Sequence, residues 1–208
     1  MRILIFGASG QAGHEIVRQA LDHGHSVSAF VRMPTKLKVQ SPVRLIHADV
    51  ADPQAVSRAV PGHDAVISAL GVGTPLKHDP VVISGVENIV RAMEEHSVSR
   101  LIYLSFIGVR ESRSAVGFVL RYIAPIPLHE EIADHETKEA VIRASNLDWT
   151  IVRPPKLTNG RQTETYRVGE NITTLRPISL ISRADVAHFI VREVEEQKYV
   201  RRTPRLLH

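Results

Sequence analysis

Three glycines spaced three apart, Gly7, Gly10 and Gly13, follow the apolar run Ile3-Leu4-Ile5-Phe6 and open an amphipathic stretch that ends near His23. That pattern suits a phosphate grip. Gly7 permits a sharp turn, Gly10 lets the main chain approach a pyrophosphate, and Gly13 lets a helix pack close to the strand before it. The N–H groups of the helix start, around Ser9, Gln11 and Ala12, then face the phosphates. A Walker-type loop is excluded, because Gly13 is followed by His14-Glu15 and not by Lys with Ser or Thr. The plain alternative is an ordinary strand-to-helix turn.

Charge at the end of the second apolar run bears on which dinucleotide is held. An NAD site usually carries an acid there for the ribose 2′-hydroxyl, but this chain has Arg32 and no acidic residue between His23 and Ala48. Arg32 and Lys36 make a pocket suited to a 2′-phosphate, which gives NADP(H) preference over NAD(H). A solvated loop is the bland reading of the same residues. Asp49-Val50 ends the third strand, where an acid and an apolar residue can sit beside an adenine ring; Asp49 also fits a turn. Ala69-Leu70-Gly71 is small enough for backbone to lie against the cofactor. Ser105 ends the fifth strand and so faces the nicotinamide side of the cleft.

Other chemistries find less support. The chain has no cysteine, so disulfides, thiolate metal sites and cysteine nucleophiles are excluded. His129 and His135 are six apart and off a common helical face, the eleven histidines look scattered, and no metal is expected. Ser105 lies in Leu104-Ser105-Phe106 without the G-x-S-x-G elbow of a hydrolase.

The elements that must position these residues alternate. Strands are expected at 2–6, 26–31, 43–47, 65–68, 100–105 and 148–152. Helices are expected at 11–23, 53–60 with Asp52 as N-cap, 80–96, 129–145 and 183–197 with Ser182 as N-cap. This is an α/β, Rossmann-type doubly wound parallel sheet with helices on both faces, in the order 3-2-1-4-5-6. At 208 residues, 43% hydrophobic and 23% charged, the chain fits a single globular domain, residues 1–208. The substrate cleft falls to 106–127 and 154–180. The first of these reads as a flap or short helix carrying Phe106, Arg110 and Arg113, or as a surface connection; the second reads as irregular chain. With no leader pattern and no apolar run of about 18 residues, a soluble cytoplasmic protein is expected. The net charge of +4 is matched by Lys198, Arg201, Arg202 and Arg205, which read as a solvated tail, so nucleic acid is not the expected partner.

The glycine spacing, Arg32, Asp49-Val50, Ser68-Ala-Leu-Gly71, Leu104-Ser105, Asp148-Trp-Thr-Ile-Val-Arg-Pro-Pro155 and Ile181-Ser-Arg-Ala-Asp-Val186 together resemble the atypical short-chain dehydrogenase/reductases called NAD(P)H-binding or NmrA-like proteins. Within them the chain is most similar to the flavin reductase and biliverdin-IXβ reductase group. The resemblance implies an NADPH-dependent reductase of flavins, bilins or quinones. It also implies a cleft lined by Ser105, by Pro154-Pro155 and by Lys156, where the bilin reductase has histidine. Ser105 and Lys156 are the catalytic candidates, and Lys156 with Phe106, Arg110 and Arg113 would meet the acceptor. The chain departs from typical members in lacking Tyr-x-x-x-Lys: its tyrosines are followed four residues later by Ile107, Ile126, Glu170 and Thr203. Glu131 and His135 are the expected occupants of that place. Carbonyl and alcohol chemistry is therefore disfavoured, and hydride transfer to a planar acceptor, a flavin among them, is favoured. The other class this family offers is a non-catalytic NADP(H) sensor or assembly factor with a protein partner.

Overall fold

The computed structural model describes residues 1–33, 42–71, 78–115, 129–174 and 179–208. Six strands, β1 (Arg2–Phe6), β2 (Ser26–Val31), β3 (Arg44–His47), β4 (Ala65–Ser68), β5 (Arg100–Leu104) and β6 (Asp148–Val152), form one parallel sheet in the order β3-β2-β1-β4-β5-β6. Both faces are covered, so the strands read as nearly continuous apolar runs. Alternation assigns their side chains: Ile3 and Ile5 join one buried cluster, Leu4 and Phe6 the other. On the first face lie α1 (Gln11–Asp22) and α5 (Arg183–Glu196), tied where the Gln19 amide donates to the Ala184 carbonyl at 2.8 Å. The opposite face carries α2 (Pro53–Ala59), α3 (Pro80–Glu95) and α4 (His129–Ala144).

Helix starts follow the side-chain chemistry. Asp52 accepts from the amides of Gln54 and Ala55, Asp79 from those of Val81 and Val82, and Ser182 from that of Asp185, each satisfying donors that a helix start leaves without partners. The start of α1 differs: its N-cap is Gly10, and no side chain caps it.

Residues 156–174, 179–181 and the C-terminal segment form more regular structure than their sequence indicates. β7 (Lys156–Thr158) pairs in parallel with β9 (Leu180–Ser182), and β8 (Arg167–Gly169) pairs antiparallel with β10 (Arg205–Leu207). Of the four basic residues of the tail, Lys198, Arg201 and Arg202 are exposed as expected, and Arg205 is buried. Leu206 and Leu207 are fully buried, Arg205 nearly so, and residues 202–206 run beside β6 with Ile151 N–H donating to Arg202 O and Arg153 N–H to Pro204 O. Three-residue strands are too short to show a period, and their partners lie far away in sequence.

The two strand faces also receive charge. Arg100, on the α5 face of β5, donates to the Glu193 carboxylate at 2.8 Å and to Thr150 Oγ1 at 2.8 Å, with both charged side chains buried. Arg100→Ala leaves Glu193 a buried charge without its partner and is expected to cost about 3–5 kcal/mol. Urea unfolding of the variant checks this; a loss below about 1 kcal/mol would mean that the pair is immaterial to the fold.

Candidate functional site

The sheet order reverses between β1 and β4, and the glycine turn sits at the mouth of that crevice. Gly7 takes φ +75°, and a Cβ there would stand 2.5 Å from the Ala69 carbonyl oxygen, so the turn presses directly on the Ala69-Leu70 backbone that leaves β4. A Cβ at Gly13 would stand 2.1 Å from Gly7 O, which is the close packing of helix on strand expected from the spacing. Gly10 is exposed and would meet only Gly7 O, at 3.2 Å. The helix beginning at exposed Gln11 thus offers its first N–H groups, those of Gln11, Ala12 and Gly13, with no capping side chain, beside half-buried Ser9. Next to them opens a cavity of about 440 Å³, bounded by Ser9, Gly10, Gln11, Asn159 and Arg183. Arg183 is the first residue of α5 and donates to Asn159 Oδ1 at 2.6 Å. Two helix N-termini and a guanidinium converge there and favour an anion, with His14 and the Glu15 carboxylate, paired to Arg18, also on the wall. Arg183 lies in the Ile181–Val186 motif but had no ligand role assigned there, and Asn159 carried no signal, because the two are brought together only by the pairing of β7 with β9.

At the adenine end, Arg32 is exposed just beyond β2, and its carbonyl is 2.8 Å from His47 Nε2 on β3, which fixes the backbone there. Lys36 lies outside the described residues. Asp49 accepts from Ala51 N–H at 3.0 Å, the turn role that its sequence allowed. Val50 is buried in the core, and a Cβ at Gly85 would come within 2.7 Å of it, so it contributes packing more than a free surface. Gly71 is exposed beyond β4.

Past β5 the geometry is set by parity. Tyr103 and Ser105 on one strand and Arg153 at the end of the next point to the same face, where α4 presents His135 and Glu139 one turn apart. Ser105 Oγ donates to Glu139 Oε1 at 2.7 Å and stands 3.4 Å from His135 Nδ1; Tyr103 Oη is 3.1 Å from the same nitrogen. Arg153 is fully buried and donates to both Glu139 oxygens, at 3.1 and 2.5 Å, and to Glu111 at 2.8 Å. Burial pushes the Arg153 guanidinium down and the Glu111 carboxyl up, but their direct contacts reverse both, so each is held in its charged form. Burial, with the Lys138 charge adding, holds His135 well below the usual imidazole value, and burial pushes the Tyr103 phenol well up.

This corrects the expectation for α4. Glu131 is not the neighbour of Ser105; the pair on that face is His135 and Glu139, four residues on, because Glu131 sits a full turn before His135, nearer the helix start. Lys138, also buried, has Asp134, Glu131 and Asp79 as its charged surroundings. Ser105 stands at the strand end as expected, but its hydroxyl is turned inward, with the residue only 5% exposed. Phe106 is half-buried, its ring edge-on to His135 with centroids 4.9 Å apart. Pro154 and Pro155 are buried, with Pro154 O accepting from Ile107 N–H at 2.8 Å, and exposed Lys156 follows as the first residue of β7. Arg110 begins a short 3-10 helix, Arg110–Ala115, and donates to the Glu136 carbonyl at 3.2 Å, which ties it to α4 and away from an acceptor. The Arg113 side chain and residues 116–128 of the expected flap lie outside the described residues. Arg153 and Glu139 come together only through the register of β5 on β6 and the packing of α4 against that face, so no local signal in the sequence marks them.

A sheet that reverses order at an uncapped glycine turn, with an inward-facing polar cluster at the next strand ends, defines an NAD(P)-binding Rossmann protein of the atypical short-chain dehydrogenase/reductase class. The chain belongs to the family described as NAD(P)H-binding, which matches residues 7–197. It is 27% identical to the photosystem II assembly factor Ycf39 of Synechocystis over 98% of its own length, and spans 61% of that relative. Among solved structures it resembles ChuY, an anaerobilin reductase of Escherichia coli O157:H7 (TM-score 0.80, 21% identity, 99% and 96% of the two chains). It also resembles a short-chain dehydrogenase/reductase of Veillonella parvula in complex with NADP (TM-score 0.81, 20% identity, 99% and 93%). Among the described residues no helix is long and apolar enough to cross a membrane.

His135 gives the site a pH signature. Its folded-state pKa lies below the unfolded value near 6.5, so the unfolded chain binds the extra proton first. Stability is therefore full above about pH 6.5 and falls as acid is added, with this one group contributing up to about 1.4 kcal/mol per pH unit. Denaturant midpoints between pH 7.5 and 5 should show the fall, and His135→Gln should make it shallower. An unchanged slope in the variant would show that the imidazole is not kept neutral by the fold.

Proposed function

We propose that the protein is an NADPH-dependent reductase that passes hydride to a planar conjugated acceptor such as a flavin, a bilin or a quinone. The observation that carries this reading is the pair that α4 turns toward Ser105: His135, kept neutral by burial, and ion-paired Glu139, both engaged inward. Neither is poised as the strong acid that an alkoxide-forming carbonyl reduction needs. A conjugated acceptor can take its remaining proton from water, so positioning and exclusion of solvent are what the residues must supply. When bound, the dinucleotide supplies the hydride. The uncapped amides of Gln11 to Gly13 and the bare Gly10 edge fit its pyrophosphate, and Arg183 adds charge beside them. Arg32, held by His47, fits a 2′-phosphate, while Ala69-Leu70-Gly71 and Pro154-Pro155 would wall the nicotinamide half. Ser105 orients the carboxamide or the acceptor, and Lys156 attracts an acidic substituent. The bilin chemistry of ChuY is consistent with this class of acceptor. We place the enzyme in the cytoplasm, acting as one domain over residues 1–208.

A second reading is favoured by the inward turn of Ser105, which leaves little polar chemistry facing the cleft. It is a non-catalytic NADP(H)-binding factor whose output is a protein contact, a reading in line with a relative named as a photosystem II assembly factor. Turnover separates the two. The reductase oxidises NADPH when offered riboflavin, FMN, biliverdin or menadione and leaves simple secondary alcohols untouched, and Ser105→Ala slows it about tenfold, the loss of one positioning hydrogen bond. Tight NADPH binding without oxidation by any of these acceptors would overturn the reductase and leave the sensor.

Cofactor choice is tested separately. NADPH should bind about tenfold or more tighter than NADH, about 1.4 kcal/mol for one charge-assisted phosphate contact, and Arg32→Ala should erase most of the difference. Equal affinities in the parent protein, measured by calorimetric titration, would contradict it.

A further inference from the structure

At the opposite end of the sheet from the glycine turn, three donor side chains meet. His23 caps the C-terminus of α1, Gly24 follows at φ +79°, and His25 precedes β2, so the turn brings two imidazoles two residues apart onto one side with ring centroids 6.3 Å apart. Glu195, in the last turn of α5, reaches both: its Oε1 lies 3.0 Å from His25 Nε2 and 3.7 Å from His23 Nδ1. One donor atom from each residue lies within 4.8 Å of the other two. We infer that His23, His25 and Glu195 form a binding site for a divalent cation of the zinc type, which staples the α1–β2 turn to the end of α5.

The geometry and the chemistry both favour a metal over a plain ion pair. A tetrahedral site with bonds near 2.0 Å sets its donors about 3.3 Å apart, and the two measured separations bracket that value. The His25 side chain is 5% exposed, and its Nε2 lies 3.0 Å from the Glu195 carboxylate. A buried ring nitrogen so placed is satisfied by a cation. Its other nitrogen, Nδ1, is 3.3 Å from the Met1 amino group; metal on Nε2 leaves the ring proton on Nδ1, and the amino group must then be in its unprotonated form to accept it. The negative ends of two helix dipoles, those of α1 and α5, add a field that favours a cation here. Two imidazoles and one carboxylate select a zinc-like ion over magnesium or calcium and leave the fourth position to water. His23 and Glu195 are partly exposed, which gives the ion its entry path.

The test uses the full chain without an affinity tag, first stripped with chelator and then titrated with Zn2+ against a chromogenic competitor. The expected result is one equivalent bound with Kd tighter than about 10 μM, unaffected by millimolar Mg2+, and a rise in melting temperature on loading. His23→Ala and Glu195→Gln, both at exposed positions, should each weaken binding at least about tenfold while melting like the parent in chelator. His96→Ala, an exposed histidine elsewhere, should bind as the parent does. Affinity weaker than about 10 μM overturns the site, as does either ligand variant binding as tightly as the parent, or His96→Ala losing as much as they do. None of these readouts depends on dinucleotide binding or turnover.

Discussion

The Arg153–Glu139 pair is the contact on which the cleft end of the molecule depends. Arg153 is wholly buried, and a guanidinium there is tolerable only because Glu139 receives two of its N–H groups and Glu111 a third. Those partners come from a helix and a 3-10 turn far apart in sequence, so one side chain fixes the end of β6 and the start of the segment after β5. Glu139, held in this way, then accepts from Ser105. The hydroxyl that the fold family would turn toward a ligand is thereby given a set direction from behind. An apolar replacement of similar volume would hold the elements together as well, but it would leave Ser105 without an acceptor.

That network also explains why the site departs from its class without loss of fold. α4 packs by its own apolar positions, Ile132 and Ile142 among them, so the identity of its polar residues is not dictated by the core. A tyrosine and lysine could stand where His135 and Glu139 do only if Arg153 were also changed, since a lysine would face it with like charge. The glycine turn is under the opposite constraint. Gly7 and Gly13 would set a Cβ against backbone at 2.5 and 2.1 Å, which cannot give way, while Gly10 would meet only the Gly7 carbonyl oxygen, at 3.2 Å.

The frame of the fold was legible because its signals are local. Ser26–Val31, Ala65–Ser68 and Asp148–Val152 form strands at the bounds their sequence indicates, and Asp52 and Ser182 cap the helices they precede. The sheet order followed from right-handed crossovers applied to that alternation. The candidate site was readable where it is made of backbone, as at the glycine turn, and less so where it is made of side chains from separate elements. Glu139 differs from Glu131 by one helical turn, and nothing local tells which of them faces Ser105. Arg153 looked like the residue before a proline stop, because its burial depends on partners the sequence does not mark. The eleven histidines looked scattered for the same reason: Glu195 completes the His23/His25 set only through the packing of α1 against α5.

The short segment that runs beside β6 has a bearing on how the chain is made. In the order of synthesis the outer edge of the sheet stands open after Val152 is complete, with the amides of Ile151 and Arg153 still lacking the carbonyls of Arg202 and Pro204. All six sheet strands and helices α1 to α5 precede those carbonyls in the order of synthesis, so a growing chain carries an adhesive edge for the time needed to translate the stretch between. Pausing within that stretch would prolong the interval in which two nascent chains can pair edge to edge, whereas the finished protein offers no such seam on that side.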